Sequence, residues 1–192
     1  MIWDAWPPAE VARRLAKVRS PWYVAGGWAL DLWRGENTRP HEDIEIAVPA
    51  AAFGEIRAAL PGFVFEVAGD GELWPLNSPA FHEHHQTWVR APETGRYHLD
   101  VFREPHDGDV WICRRDPGIR RPYRDIIRHT AAGVPYLVPE IVLLFKAKAV
   151  RPKDQADFDA TLPRLDPGRR AWLYAALTRI APGHLWLHRI EL

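Results

Sequence analysis

The sequence predicts an α/β protein with a mixed β-sheet, helices on one face of that sheet and a helical C-terminal extension. Helical and extended segments alternate over residues 8–60, and a run of short strands then occupies residues 63–113. From residue 139 onward, the predicted segments are helices that open at prolines. This order of helix, strand, helix, strand, helix and meander is typical of a mixed sheet with helices packed on it.

Local patterns support each element of the first half. Predicted helices cover residues 8–18, 28–34 and 50–60. Predicted strands cover residues 22–25, 43–48, 63–67, 72–76, 85–90, 97–102 and 109–113. Val11, Leu15 and Val18 recur at helical spacing in the first helix, which indicates one apolar face. Gly35 and Pro49 are expected to end a helix and a strand, respectively.

The second half begins with a change in composition. Arginines crowd residues 114–124, at Arg114, Arg115, Arg120, Arg121 and Arg124. We predict a basic linker or loop there, with an anion-binding face as the alternative. Helices are then expected to begin at Pro139, Pro152, Pro167 and Pro182. These patterns divide the chain into a sheet-bearing domain, residues 1–135, and a helical region, residues 136–192, packed on it.

Composition limits the class of protein. The chain has 192 residues, of which 47% are hydrophobic and 26% charged, as expected for a globular domain with a real core. No apolar run approaches the roughly 20 residues needed to span a bilayer, and no secretory signal is visible. The single cysteine, Cys113, forms no internal disulfide, so we expect a packed thiol and a cytoplasmic protein. With 25 basic and 25 acidic residues, no long nucleic acid is expected as a partner.

Three acidic residues form the main candidate site. Asp43 and Glu45 alternate with isoleucines in an extended run, so their side chains point to one face. Asp100 lies in a second alternating run, and pairing of the two strands would bring three carboxylates together. Such oxygen ligands suit Mg²⁺. The alternative is a solvated sheet face that carries no function.

A glycine pair lies between a predicted strand and a predicted helix. Gly26 and Gly27 allow close approach of a phosphate to the backbone, and the helix that follows offers free N–H groups to an anion. A glycine pair alone is weak evidence, and its position before the acidic strand gives it value. Asp31, one turn into that helix, is expected to make structural hydrogen bonds, with a substrate contact as the alternative.

Together these residues resemble the DNA polymerase β-like nucleotidyltransferase superfamily. That superfamily has a glycine turn, then a strand that reads acidic, apolar, acidic, apolar, and a third acid on a later strand. Residues 26–31 and 38–43 resemble more closely its small antibiotic-modifying branch, the aminoglycoside and lincosamide nucleotidyltransferases. The chain departs from that branch at Glu45, where those relatives usually carry Asp.

The resemblance implies a nucleotidyltransferase fold, with residues 1–135 as the catalytic domain. It implies two Mg²⁺ ions held by Asp43, Glu45 and Asp100, and Asp100 as acceptor of the proton of the attacking hydroxyl. The donor would be a nucleoside triphosphate, with ATP favoured, and the acceptor a small hydroxyl compound, with an aminoglycoside favoured. Antibiotic resistance would then be a possible role.

Further residues are assigned to the donor. Gly26, Gly27 and Arg39 would contact the phosphates of the nucleotide. Lys146 would either reach the triphosphate or simply favour the negative C-terminal end of its helix. Two other functions stay open. One is a non-catalytic protein of the same fold that binds a nucleotide or a protein partner, as antitoxin-type relatives do. The other is nucleotidyl transfer to a protein hydroxyl.

Two weaker clusters complete the candidates. The first cluster is the run His82, Glu83, His84 and His85, which would place His82 and His84 on one face of a strand. That face would be an exposed sheet edge or a polar pocket wall. A metal site is the least favoured alternative, because a structural zinc site needs four ligands. The middle of the chain also carries acids that could meet a polycationic antibiotic or simply be exposed. These acids are Glu66, Asp70, Glu72 and Glu83.

Overall fold

A computed structural model describes residues 1–190 as a sheet-centred α/β fold. The strands are β1 Tyr23–Val24, β2 Glu45–Pro49, β3 Val64–Gly69, β4 Glu72–Pro75, β5 Gln86–Arg90, β6 Tyr97–Glu104, β7 His106–Asp107, β8 Val110–Ile112, β9 Arg120–Pro122, β10 Ile127–His129 and β11 Pro135–Leu137. The α-helices are α1 Pro8–Arg14, α2 Gly26–Arg34, α3 Phe53–Ala59, α4 Ala80–Glu83, α5 Tyr123–Ile126, α6 Pro139–Lys146, α7 Pro152–Thr161, α8 Pro167–Ile180 and α9 Leu187–Ile190. Short 3₁₀ turns at Ala50–Ala52 and Leu162–Arg164 precede α3 and follow α7.

Eight strands form one mixed sheet, in the order β10-β11-β1-β2-β6-β5-β3-β4. The pairs β1–β11 and β2–β6 are parallel, and the other neighbours are antiparallel. The strands β7, β8 and β9 form a separate small sheet. The mixed sheet and the C-terminal helices confirm the predicted fold class.

The register of the central pair positions the acids. In the parallel pair β2–β6, Glu45 lies opposite Asp100. Ile46, Val48 and Val101 in these strands are fully buried, so the apolar residues that alternate with the acids anchor both strands in the core. A shift of one residue would turn the acids into the core. The predicted pairing of the two acidic runs is therefore present.

Helix α2 begins earlier than predicted. The sequence places its start near Trp28, but the first helical residue is Gly26, after an extended Ala25. Gly26 has φ of +58°, a left-handed value that costs glycine little, so the turn and the helix start coincide. Gly35 ends the helix in the left-handed conformation, as predicted.

The prediction of a basic linker or loop over residues 114–124 holds for residues 114–119, which form turns, and is wrong for the rest. Strand β9 and the start of α5 follow and lead directly into β10 and β11, which extend the main sheet. Two arginines of the segment bind buried acids, Arg114 to Glu104 at 3.0 Å and Arg121 to Glu140 at 2.8 Å. The high charge and proline content of the segment concealed these elements, because only a few apolar residues, such as Tyr123 and Ile126, anchor them in the core.

The C-terminal helices pack on the sheet and on one another. Helix α6 contacts α2, α7 and α8, and α8 contacts α9. Three of the predicted starts, at Pro139, Pro152 and Pro167, are correct, whereas the last helix begins at Leu187 rather than at Pro182. Strand β11 spans the predicted domain boundary at residue 135, and the division into two domains stays a prediction. Within residues 1–190, no helix has the length and apolar character that crossing a membrane requires.

Candidate active site

The three acids lie on neighbouring backbone positions but in different surroundings. Asp43 is exposed and precedes β2, Glu45 is the partly exposed first residue of β2, and Asp100 is 3% exposed on β6. The amide of Gln86 donates to Asp100 Oδ2 at 2.8 Å. The other oxygen, Oδ1, is buried and makes no hydrogen bond of ordinary geometry among residues 1–190, although Trp88, the cross-strand neighbour of Asp100, interacts with this carboxylate. A buried carboxylate oxygen that lacks a well-formed hydrogen bond thus lies on the residue opposite Glu45.

Burial and mutual repulsion disfavour ionisation of these acids. Burial, with the charge of Asp43, raises the pKa of Glu45 to about 7, although Lys146 and other cations oppose the shift. Burial and the charge of Glu45 likewise raise the pKa of Asp100 well above its usual range, against the favourable contact from Gln86. In the ligand-free site Glu45 and Asp100 therefore resist ionisation, and bound cations would reverse that preference.

A divalent cation fits this donor set. Within residues 1–190, no three His, Cys, Asp or Glu side chains are arranged as a ready metal-binding group. The orphaned Asp100 Oδ1 and the raised pKa of Glu45 nevertheless mark carboxylates that lack a positive partner. Their oxygens are the hard ligands that Mg²⁺ takes.

The glycine pair is required by side chains that cover it. A Cβ on Gly26 would lie 1.5 Å from Glu45 Oε2, and one on Gly27 would lie 2.3 Å from Arg39 Nη2. A larger residue at either position would push the end of the Glu45 or Arg39 side chain away, and at Gly26 it would also have to adopt a left-handed φ. The glycines thus bring the start of α2 against the acidic strand and against the loop arginine, as the sequence predicts for a site near this helix.

Asp31 holds the loop that precedes β2. Its carboxylate accepts hydrogen bonds from the Thr38 hydroxyl at 2.6 Å and backbone N–H at 3.2 Å, and contacts His41 Nε2 at 2.7 Å. His41 also stacks on Trp28, with ring centroids 4.3 Å apart. The structural role predicted for Asp31 is therefore confirmed, and it fixes the approach of Arg39 to Gly27.

A buried acid pair on α7 holds three cations at the site. Lys146 Nζ lies 2.9 Å from Asp154 Oδ1 and 3.0 Å from Asp157 Oδ2. Arg151 Nε lies 2.7 Å from Asp154, and Arg39 Nη2 lies 3.4 Å from Asp157. Both acids are at most 5% exposed. Cations from the loop, from α6 and from the start of α7 are thus fixed before any ligand binds.

Two cavities meet at Glu45, Lys146 and Arg151, which line both. The smaller, of about 330 Å³, has the further residues Gly27, Trp28, Arg39, Pro40, His41, Glu42, Asp43 and Lys153 in its wall. The larger, of about 420 Å³, is completed by Tyr23, Ala25, Gly26, His85, Phe102, Glu104, Arg114, Arg115, Leu137, Val142, Phe145 and Lys148. Two spaces that could each hold a ligand therefore adjoin Glu45.

The histidine cluster does not form the predicted strand face. His82 lies in the short helix α4 and is exposed, and His84 stacks on Trp74 at 5.0 Å. Only His85 lines the larger cavity, so the pocket-wall alternative holds for that residue alone. The strand prediction failed because residues 78–81 close a turn that the alternating histidines conceal.

The sequence analysis missed the acids on α7. Asp154 and Asp157 are three residues apart, so they share one helix face, and Lys146 and Arg151 stand nearby in the chain. That spacing was a usable signal. Glu104, the buried partner of Arg114 in the larger cavity, was also missed, because its strand continues two residues beyond the predicted end.

Comparison with known proteins agrees with this geometry. Residues 9–85 match the model of a protein family described as aminoglycoside-2''-adenylyltransferase. This range includes the glycine pair, Arg39, Asp43 and Glu45 and ends before Asp100. A search of curated proteins gave no match.

Solved structures share the fold at low sequence identity. A lincomycin-bound crystal structure of the lincosamide antibiotic adenylyltransferase LnuA matches with a TM-score of 0.56 at 18% identity, over 81% of this chain and 95% of that one. A solution structure of the antibiotic-resistance factor ANT(2'')-Ia matches with a TM-score of 0.60 at 18% identity, over 96% and 97%. A crystal structure of ANT(2'')-Ia with adenylyl-2''-tobramycin matches with a TM-score of 0.50 at 16% identity, over 94% and 88%.

The family match and the shared fold confirm the resemblance that the motifs indicated. Residues 9–85 are therefore similar to the aminoglycoside-2''-adenylyltransferase family, and the chain shares the fold of the solved antibiotic adenylyltransferases.

Proposed function

We propose that this enzyme transfers AMP from ATP to a hydroxyl group of a small, antibiotic-like molecule, with Asp43, Glu45 and Asp100 as the catalytic acids. The pairing of Glu45 with Asp100 across β2–β6, beside an unsatisfied carboxylate oxygen, is the observation that carries the proposal. Asp43 and Glu45, with Asp100, would hold two Mg²⁺ ions. When bound, these ions neutralise charge on the triphosphate and on the leaving pyrophosphate.

The smaller cavity suits the triphosphate. Arg39, Lys146, Arg151 and Lys153 line it, and the N-terminus of α2 lies at Gly26 and Gly27. Guanidinium and ammonium groups bind phosphate oxygens through charge-assisted hydrogen bonds. Arg39, Lys146 and Arg151 are held in place by the acids of α7 and have further N–H donors for a ligand.

The reaction requires a proton acceptor next to the attacking hydroxyl. The acceptor oxygen forms a bond to the α-phosphorus of ATP, the bond from that phosphorus to the bridging oxygen breaks, and pyrophosphate leaves. Asp100 is the group assigned to take the hydroxyl proton. Its position opposite Glu45 in the β2–β6 pair places it beside the other two acids, and a carboxylate within hydrogen-bond reach of the hydroxyl can accept that proton.

The acceptor is the finer part of the proposal. The family name supports an aminoglycoside, and one structural neighbour supports a lincosamide. The four middle-segment acids that the sequence offered to a polycation line neither cavity at Glu45. One of them, Glu66, accepts hydrogen bonds from Arg90 and Tyr97 at 2.9 Å each. Action on such antibiotics would make the protein a resistance factor, and use of ATP fits a cytoplasmic location.

Nucleotide binding is tested by thermal unfolding with ATP and Mg²⁺. The proposal predicts a rise in melting temperature that requires both components, because a ligand that binds the folded state alone stabilises it. The variant Asp100→Asn should retain the fold and lose the metal dependence. An unchanged transition in the wild type contradicts nucleotide binding and favours a non-catalytic protein.

Transfer itself is tested with labelled ATP against a panel of aminoglycosides, lincosamides, neutral sugars and candidate proteins. We expect label on a small molecule in the wild type and none in Asp100→Asn. Label on protein only would support the alternative of protein nucleotidylation and contradict a small acceptor. Bound nucleotide without transfer to any member would contradict the acceptor class.

A further inference from the structure

Strand β5 carries polar and aromatic side chains on the same face of the sheet as Asp100. Thr87 and Val89 of this strand are fully buried. Gln86 and Trp88 alternate with them and therefore point to the other face. Trp88 lies directly opposite Asp100 in the antiparallel pair β5–β6, and Gln86 is the next residue of β5 on that face. Because strand side chains reach both direct and diagonal partners, both residues can contact Asp100.

Both side chains present N–H groups to the Asp100 carboxylate. Gln86 Nε2 donates to Oδ2 at 2.8 Å, and within residues 1–190 the Gln86 side chain makes no other hydrogen bond. Trp88 also interacts with this carboxylate, while its buried Nε1 makes no hydrogen bond of ordinary geometry to any described residue. Burial and the charge of Glu45 raise the pKa of Asp100, and these two contacts oppose that rise.

The bond from Gln86 also fixes the direction in which the carboxylate is turned. The last torsion of an aspartate side chain is broad, so its orientation depends on the groups that bind its oxygens. Oδ2 is held from β5, on one side of β6, whereas Glu45 lies across the other side of β6. Within residues 1–190, Oδ1 makes no well-formed hydrogen bond. One oxygen is therefore engaged by the protein, and the other is left for a ligand.

Neither Gln86 nor Trp88 belongs to the walls of the two cavities beside Glu45. The Trp88 ring is held by aromatic neighbours, with its centroid 5.1 Å from that of Trp3 and 5.3 Å from that of Tyr97. The Gln86 amide is held by Asp100 itself. An effect of either residue on a ligand in those cavities must therefore pass through the Asp100 carboxylate.

We propose that Gln86 and Trp88 are positioning residues of the transfer reaction, whose N–H groups hold the Asp100 carboxylate in one orientation and leave Oδ1 as the reacting oxygen. The inference rests on the proposed function, because Asp100 is the acid assigned to the cation and to the hydroxyl proton. Groups that bind a metal ligand from behind are commonly worth a factor of about ten to a hundred in metal affinity or activity.

The test compares Gln86→Leu, Gln86→Glu and Trp88→Phe with the wild type. Leucine removes the donor, glutamate keeps the shape but replaces the donor by a second acid, and phenylalanine keeps an aromatic ring without the N–H. Transfer from labelled ATP to an accepted hydroxyl compound gives kcat and KM. Electron paramagnetic resonance gives the affinity for Mn²⁺ in the presence of a non-hydrolysable ATP analogue, so the metal is measured without turnover.

We expect kcat to fall about tenfold to a hundredfold in both Gln86 variants, and about tenfold in Trp88→Phe, as for one hydrogen bond to a charged group. Affinity for Mn²⁺ should fall about tenfold in the Gln86 variants. The KM for ATP should change by less than about twofold, because neither residue lines a cavity beside Glu45. A residue that only stabilised β5 would not produce this separation.

Arg90→Leu provides the matched control on the same strand. Gln86 and Arg90 are the first and last residues of β5, and Arg90 donates to Glu66 at 2.9 Å. The control therefore loses a hydrogen bond of β5 at the end remote from Gln86. It should keep the wild-type kcat and Mn²⁺ affinity even where its melting temperature falls.

The inference is overturned if both Gln86 variants keep the wild-type kcat and Mn²⁺ affinity, if Arg90→Leu loses as much kcat as they do, or if only the KM for ATP changes. An unaltered kcat in Trp88→Phe overturns the part assigned to the indole. Absence of labelled product from the wild type would instead contradict the proposed function, and the Mn²⁺ titration would then still decide whether Gln86 positions Asp100.

Discussion

Replacing Glu45 by glutamine should stabilise the ligand-free protein at alkaline pH. The ordinary pKa of a glutamate is 4.5, and the folded protein raises that of Glu45 to about 7. A shift of this size corresponds to about 3 kcal/mol of unfavourable free energy once the carboxyl is fully ionised. Glutamine has nearly the same shape and fits over Gly26 without that charge.

The sign of the effect follows from proton binding. The folded state binds the Glu45 proton more tightly than the unfolded state, so the associated stability is fully present below about pH 4.5 and is lost as pH rises to about 7. Wild type and Glu45→Gln should therefore have similar stability at pH 4. At pH 8.5 the variant should melt roughly 6–12 °C higher, for a chain of this length.

The assay is thermal and urea unfolding in a chelator across this pH range. Glu93→Gln is the control, since Glu93 is exposed and lies outside both cavities. Parallel pH profiles for wild type and Glu45→Gln, or a less stable variant at pH 8.5, would refute the claim that Glu45 is an uncompensated charge. Added Mg²⁺ and ATP should raise the melting temperature of the wild type and much less that of the variant.

Three further outcomes are expected. Asp43→Ala should fold normally, because the residue is exposed, and lose transfer by a factor on the order of 10³; near wild-type turnover would exclude it as a metal ligand. Asp157→Asn should weaken ATP binding about tenfold, because it releases Arg39 and Lys146, the two cations assigned to phosphate binding. Calorimetry measures this affinity, and Asp159→Asn, at an exposed position, should leave it unchanged. Gly26→Ala should abolish activity and should lower the free energy of unfolding by more than the roughly 1 kcal/mol that a left-handed alanine costs. Gly71 has φ of +81° and open space around it, so Gly71→Ala measures that backbone strain alone. Equal losses of stability in the two variants would contradict a steric role of Gly26.

Local sequence patterns were sufficient for most of the fold. Strong apolar alternation and glycine or proline at the ends predicted strands β1 to β6 and the starts of α6, α7 and α8 to within a few residues. Alternation also fixed which face each acid occupies, whereas the pairing of Glu45 with Asp100 was a condition of the sequence argument that the structure meets. Short elements held by isolated anchors, such as α5 with Tyr123 and Ile126, carry too little periodicity to be recognised.

The rest of the site depends on contacts across the chain. The partners of Lys146, Asp154 and Asp157, come from the next helix, and no pattern within α6 identifies them. The charge of the larger cavity was equally hidden, since whether Glu104 is free or bound depends on Tyr23 and Arg114 from distant strands and loops.

The most direct test of the central claim follows the two labelled phosphates of ATP in the presence of Mg²⁺ and an accepted hydroxyl compound. Label in the α-phosphate should appear on the acceptor, label in the γ-phosphate should appear in pyrophosphate, and both should disappear in Asp100→Asn. Transfer of the γ-label to the acceptor, or release of phosphate without any labelled product, would contradict nucleotidyl transfer at this acid cluster.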